Sequence, residues 1–273
     1  MKNHSLIQGS IAKGLLFFVI PLFFSNLFQQ LYNTIDTLLV GHYLGDNALA
    51  AMGATAAVFE LIVQFSNGCG TGFSIVAARY YGSKDETELK KSVATSLVLG
   101  LIISLVITIV SYLSLPTLLR VLHTPKSIYT DSLNYIRCIS AFLIITMFYN
   151  LGAGMLRAIG DSLRPLIVLF CSSIINIALD ILCITILDMG VLGAAVATVV
   201  AQGISTIICF LLILKKAKIL IPHKEHFHIK SYMVSDLLGQ GFSMGFMFSI
   251  VSIGTIILQS GINGLGTQII AAH

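Results

Sequence analysis

Two acidic residues, Asp36 and Asp180, lie inside apolar runs long enough to cross a bilayer. A charged carboxylate at the centre of a membrane helix costs roughly 2.5–3.5 kcal/mol on insertion scales, so it faces a cavity or a partner and handles ions or substrate. Asp36 closes a stripe, because Gln29, Tyr32 or Asn33, and Asp36 follow i, i+3/4, i+7 spacing and share one helix face. Further along, Asn176 and Asp180 are i, i+4 neighbours, and so are Thr198 and Gln202. Together these side chains offer carboxylate, amide and hydroxyl oxygens, hard ligands that suit a small cation or a proton held between groups. The plainer reading is hydrogen bonding between helices, which is common for Asn and Thr in membranes. Desolvation disfavours the charged form of a carboxylate, and two carboxylates close together titrate as a coupled pair. Na+ would compete with a proton for the same oxygens.

A second polar face runs through Glu60, Gln64, Asn67 and Thr71 at helical spacing and is expected to line a central cavity or a lobe interface. Glu60 is expected near the outer end of its span, where a solvated role stands beside a substrate role. Tyr149 and Asn150 are placed to reach the same cavity, whereas Met147, Met155 and the many Phe residues read as packing. The run Arg157, Gly160, Asp161, Arg164 and Pro165 reads as a tight turn with Pro opening the next helix, a structural or gating element. Pro21 removes a backbone hydrogen bond and can bend the first helix.

The elements that must position these residues are membrane helices. Of 273 residues, 56% are hydrophobic and only 10% charged. Apolar stretches at 15–40, 51–78, 93–115, 136–156, 165–187, 191–214 and 237–258 each approach the ~20 residues that span the hydrocarbon core, giving seven spans. The first is as long as the others and lacks the short apolar core of a cleavable signal peptide. With the N-terminus cytoplasmic, the inner segments hold Lys2, Lys13, Arg79, Lys84, Lys90, Lys91, Arg157, Arg164, Lys215, Lys216, Lys218, Lys224 and Lys230. The outer ones hold Arg120, Lys126 and Arg137. That asymmetry sets the N-terminus inside, in a multi-pass protein of the plasma membrane. The net charge of +4 then reflects loops lying against anionic lipid, and a nucleic-acid partner is not expected.

Cys69, Cys138, Cys171, Cys183 and Cys209 form no CxxC pair and read as small apolar side chains. A basic stretch, 215–236, carries His223, His226 and His228; histidines in such a linker are solvated more often than metal-bound, so no metal site is expected. Nor does any HExxH, GxSxG or paired acid–histidine motif fall within the spans, which argues against an enzyme.

Beyond that linker, the pattern that opens the chain returns. The segment SNLFQQLYNTIDTLLVGHYLGDNALAA has a counterpart in MGFMFSIVSIGTIILQSGINGLGTQIIAA, so Leu44-Gly45 corresponds to Leu265-Gly266 and Ala50-Ala51 to Ala271-Ala272. A six-helix unit repeated in parallel is implied. The expected organisation is an all-α polytopic protein with a six-helix lobe at 1–214, a basic cytoplasmic linker at 215–236, and at 237–273 the first helix of a second lobe plus the start of its next helix. Since the chain stops at His273, one helix into its second copy, it reads as a truncated form of a protein of twelve spans.

Five segments in order carry a family resemblance: Pro21 with YNTIDTLLVGHYLG (Tyr32 to Gly45), GTGFSIVAARYYGSKD (Gly70 to Asp85), GMLRAIGDSLRP (Gly154 to Pro165), NIALD (Asn176 to Asp180) and GVLGAAVATVVAQ (Gly190 to Gln202). Together they resemble the multidrug and toxic compound extrusion (MATE) transporters across the first lobe. The resemblance implies two six-helix lobes arranged as a V around a central cavity. It also implies export of bulky cationic or amphipathic compounds in exchange for inward H+ or Na+, with no other cofactor. Positions matching Asp36, Asn176, Asp180 and Thr198 would line the first-lobe cation site, and Gln29, Tyr32, Asn33, Gln64, Asn67, Tyr149 and Asn150 the substrate cavity. Cation occupancy would favour a bent first helix that expels substrate. Which ion couples, and the oligomeric state, stay open at this level. Two alternatives stand beside this reading: a lipid-linked oligosaccharide flippase of the related fold, which needs a cavity rich in cationic side chains where only Arg137 offers itself, and a non-functional fragment of a transporter.

Overall fold

The computed structural model describes residues 11–263 and 269–270. Their long elements are α1 (Ile11–Leu44), α2 (Asp46–Gly82), α3 (Glu86–Val121), α4 (Tyr129–Ala141), α5 (Leu143–Ala158), α6 (Leu163–Ile181), α7 (Gly190–Lys216) and α8 (Ser231–Asn263). Six crossings are single helices, and α4 with α5 makes a seventh that is bent by 47°. The seven expected spans are therefore present, but the fourth, expected as one helix over 136–156, begins at Tyr129 and breaks at Phe142. There the Phe142 N–H bonds Ile139 O at 3.2 Å and the Ile145 N–H bonds Phe142 O at 2.9 Å. This i→i+3 spacing tightens the chain into a 3-10 turn and tilts the axis.

The helix ends follow local chemistry. Gly45 holds φ at +78°, and this single residue turns α1 into α2; a side chain there would be strained. Asp85 caps α3 by accepting the Glu88 N–H at 3.0 Å, with Glu86 and Glu88 in the first turn where the helix dipole favours negative charge. Lys90 and Lys91 reach back to Glu86 and Glu88 at 2.6 and 2.7 Å. Between α5 and α6, Gly160 sits at φ +86° and Asp161 accepts the Arg164 N–H at 3.1 Å while pairing with its guanidinium at 2.7 Å.

Packing runs inside out relative to a water-soluble protein. Leu113 is 73% exposed and Ile186 71%, because the outward faces meet hydrocarbon. The interior divides into two apolar layers. One, toward the expected cytoplasmic end, gathers Phe73, Leu89, Met147, Leu151, Leu156 and Leu237. The other, toward the opposite end, gathers Val58, Leu115, Leu119, Ile136, Leu143 and Ile184.

The seventh crossing, α8, lies against α2 through glycines. A Cβ on Gly68 would stand 2.5 Å from Gly245 Cα, and one on Gly72 would stand 2.4 Å from Gln240 O. With no water to expel, small residues that let two backbones approach are what hold membrane helices together. At the end of this crossing Arg79 pairs with Asp236, and the Tyr232 hydroxyl donates to Glu88 Oε2 at 2.5 Å. In the basic stretch, α7 runs to Lys216 and α8 starts at Ser231, which leaves 217–230 between them. Two 3-10 turns, Lys218–Leu220 and Lys224–Phe227, lie there, with Leu220 and His226 buried. His226 Nδ1 accepts the His223 N–H at 2.9 Å, so this histidine is packed, not solvated. Ile270 packs on Ala50, Ala51 and Ala54, whereas the turn Leu265-Gly266, the pair Ala271-Ala272 and His273 lie outside the described residues.

Candidate functional site

Helix α1 rests on α6, and this contact delivers Asp36 to Asp180. Their carboxyl groups lie close enough to interact, and both are withdrawn from the surface, with Asp36 8% exposed and Asp180 0%. Oδ1 of each is buried and, among the described residues, without a hydrogen-bond partner. Asn176, one turn before Asp180, orients the pair. With its amide nitrogen toward the acid it donates to Asp180 Oδ2 at 2.9 Å and accepts the Thr198 N–H at 3.2 Å; the opposite orientation offers only a 3.4 Å contact to Thr198 Oγ1. The first orientation is the favoured one, because it satisfies donor and acceptor together. Thr198 on α7 completes the group and shares a 3.5 Å contact with the Tyr32 hydroxyl. The four residues that the resemblance implied for a cation site therefore meet at one place, contributed by α1, α6 and α7.

Just after Asp180 the α6 backbone widens into a π turn, Leu182–Ile186, and α7 begins at Gly190, with Asp188 and Gly190 at φ +50° and +57°. Single π turns are frequent at functional sites because the extra residue re-aims the helix.

Two cavities flank the carboxyl pair. A small one of about 50 Å³ is lined by Gln29, Tyr32, Tyr149, Asn176, Thr198, Gln202 and neighbours. A larger one of about 400 Å³ lies among α1, α2, α4, α7 and α8, with Tyr32, Asn33, Asp36, Phe59, Glu60, Tyr135, Thr255 and Gln259 in its wall. Gln29, Tyr32, Asn33 and Tyr149 thus reach a cavity as expected from the sequence. Gln64, Asn67 and Asn150 line neither. Asn67 instead donates to Gln64 at 3.3 Å along α2, and Asn150 is buried against the backbone of α2 at Gly70. Of the residues read as gating, Pro21 sits within an unbroken α1, where its carbonyl accepts Ser25 Oγ at 2.9 Å. Arg157 lies in the last turn of α5, Gly160 and Asp161 form the turn that follows, and Pro165 sits in the first turn of α6.

One residue of the cavity wall, Tyr135, was not legible in the spacing. Tyr135 falls one residue before the apolar run that marked the fourth span, yet it is buried within electrostatic reach of Asp36 and Asp180. Only its place at the edge of that run hinted at it. Glu60 lies 14 residues beyond the first residue of α2, about 21 Å along the axis, in the wall of the larger cavity.

A bundle of seven apolar crossings with a buried carboxyl pair and an adjoining polar cavity defines a polytopic membrane protein. Residues 21–182 match the MatE family, and the chain belongs to it. It is 30% identical to the probable multidrug resistance protein YoeA of Bacillus subtilis (strain 168), over 97% of this chain and 59% of that one. The outward-facing conformation of a multidrug resistance MATE family transporter of the MOP superfamily superposes with a TM-score of 0.85 at 28% identity, covering 100% of this chain and 61% of that one. The inward-facing conformation of a transporter so described gives 0.83 at 29% identity, covering 89% and 56%. This chain spans about three-fifths of the length of the curated relatives it matches.

Proposed function

We propose that this chain forms the first lobe, and the first helix of the second, of a two-lobed multidrug antiporter. It would export cationic or amphipathic compounds across the plasma membrane in exchange for H+ or Na+, with its N-terminus cytoplasmic. The observation that carries the reading is the Asp36–Asp180 pair: two carboxyl groups in contact, withdrawn from the surface, each with an oxygen unpartnered among the described residues. Two like charges so placed repel, and one proton or one Na+ relieves the repulsion. Asn176 and Thr198 supply further oxygen and amide contacts at the same point.

Because Asp36 rides on α1 and Asp180 on α6, occupancy by a cation draws the two helices together, and loss of the cation lets them part. Coupling is then the difference in cation and cargo affinity between the two arrangements. Among the described residues, the wall of the larger cavity contains two carboxylates and no Lys or Arg, which supports positively charged cargo over an anionic lipid-linked sugar. Membership in a family of transporters supports transport over catalysis. The test is Asp36→Asn in the complete transporter. Ethidium efflux is expected to fall to background while the protein stays in the membrane; efflux with the pH dependence of the unmutated protein would exclude the mechanism.

A further inference from the structure

The carboxyl pair accounts for Asp36 and Asp180 but leaves one acid of the larger cavity unexplained. Glu60 projects from the interior of α2 into a space of about 400 Å³, and among the described residues it makes no hydrogen bond and no ion pair. A carboxylate without a partner in the wall of such a cavity is open to a cation that enters it. The described wall brings no basic side chain to neutralise it. The rings of Tyr32, Phe59 and Tyr135 line the same space, together with Asp36, whose buried Oδ1 has no partner there. A volume of this order falls in the range of small-molecule sites, and aromatic faces beside a carboxylate suit a delocalised or alkylated cation whose charge cannot be hydrated inside the protein.

We infer that Glu60 is the counter-ion for the cargo and sets the cavity's preference for lipophilic monocations, while the Asp36–Asp180 pair holds the coupling ion. This division of labour rests on the function proposed above and adds to it a specificity-determining residue on α2. The two roles are separable because the acids sit on different elements: Asp36 lies beside Asp180 of α6, whereas Glu60 has no such neighbour among the described residues and can meet whatever enters.

The purified chain in lipid nanodiscs, titrated with radiolabelled tetraphenylphosphonium, tests the assignment. This probe carries a permanent charge and no exchangeable proton, so its binding reports cargo recognition and not proton coupling. Glu60→Gln is expected to weaken binding at least about tenfold, and Glu60→Asp to restore most of it, as a charge contact requires and a packing role does not. Equal affinity of the unmutated chain and Glu60→Gln would overturn the inference while leaving the proposed antiport to be judged by the Asp36→Asn efflux assay. Failure of Glu60→Asp to restore binding would overturn it too, as would absence of binding to the unmutated chain. So would loss of 22Na+ or proton binding in Glu60→Gln with tetraphenylphosphonium affinity intact, which would move Glu60 to the coupling site.

Discussion

Asp36 and Asp180 are far apart in sequence, and the packing of α1 on α6 brings their carboxyl groups side by side. Two acids in contact do not titrate independently, and this makes the second of them a sharper probe than the first. Asp180→Asn keeps the shape and the Asn176 neighbour but cannot ionise, so the pH profile of transport is expected to shift, read as dye efflux over a pH series. Because the mutations share a partner, Asp36→Asn and Asp180→Asn together should not give the sum of their separate effects, with a coupling of about 0.5–3 kcal/mol. Strict additivity would place the two acids at separate sites. Asp36→Asn by itself is the severest change expected at this scale, since it removes the carboxylate that α1 brings to the pair.

The decisive contact between elements is the crossing of α2 and α8. Gly72 approaches the backbone at Gln240, and backbone cannot swing aside as a side-chain tip can. Gly72→Ala is therefore expected to destabilise by about 1–3 kcal/mol through overpacking, seen as a lower thermal midpoint in detergent. Gly239 on α8 has open space where its Cβ would stand, so Gly239→Ala is the matched control and should leave the midpoint within error. A midpoint for Gly72→Ala equal to the control's would show that the helices separate at no cost. The Arg79–Asp236 pair joins the same helices but is exposed on the Arg79 side by 55%. Exposed pairs contribute about 0–1 kcal/mol, so Arg79→Gln should move the same midpoint much less than Gly72→Ala does. A drop as large as the glycine's would mean that charge, not close approach, holds α8 in place.

At the scale of the whole molecule, the larger cavity already takes wall residues from both the six-crossing lobe and α8, since Thr255 and Gln259 line it together with Asp36 and Glu60. Transport needs such a cavity to open on each side in turn, and the relatives that carry multidrug names are longer than this chain. Expressed as these 273 residues alone in an efflux-deficient host, the chain is expected to insert and to confer no lowering of dye accumulation. Clear efflux would show that one lobe with α8, or two copies together, suffices.

The sequence by itself determined the class, the number of crossings, and the polar pairs Asn176/Asp180 and Thr198/Gln202. Each of these rests on a local rule: the length of an apolar run against the thickness of a bilayer, or i, i+4 spacing on one helix. Asn176 and Asp180 share a face for that reason alone, and Thr198 and Gln202 do likewise. Tertiary structure decided what local rules do not reach. That Asp36 meets Asp180 depends on α1 lying against α6. That Glu60 faces a cavity walled in part by Thr255 and Gln259 depends on where α8 crosses α2, a crossing set by glycines whose absent side chains leave no hydrophobic pattern to read. Tyr135 and the break at Phe142 escaped for a related reason: apolar runs mark where hydrocarbon begins, whereas a bend and a buried hydroxyl are fixed by the helices packed around them. Spacing places side chains on a face; only packing decides what that face meets.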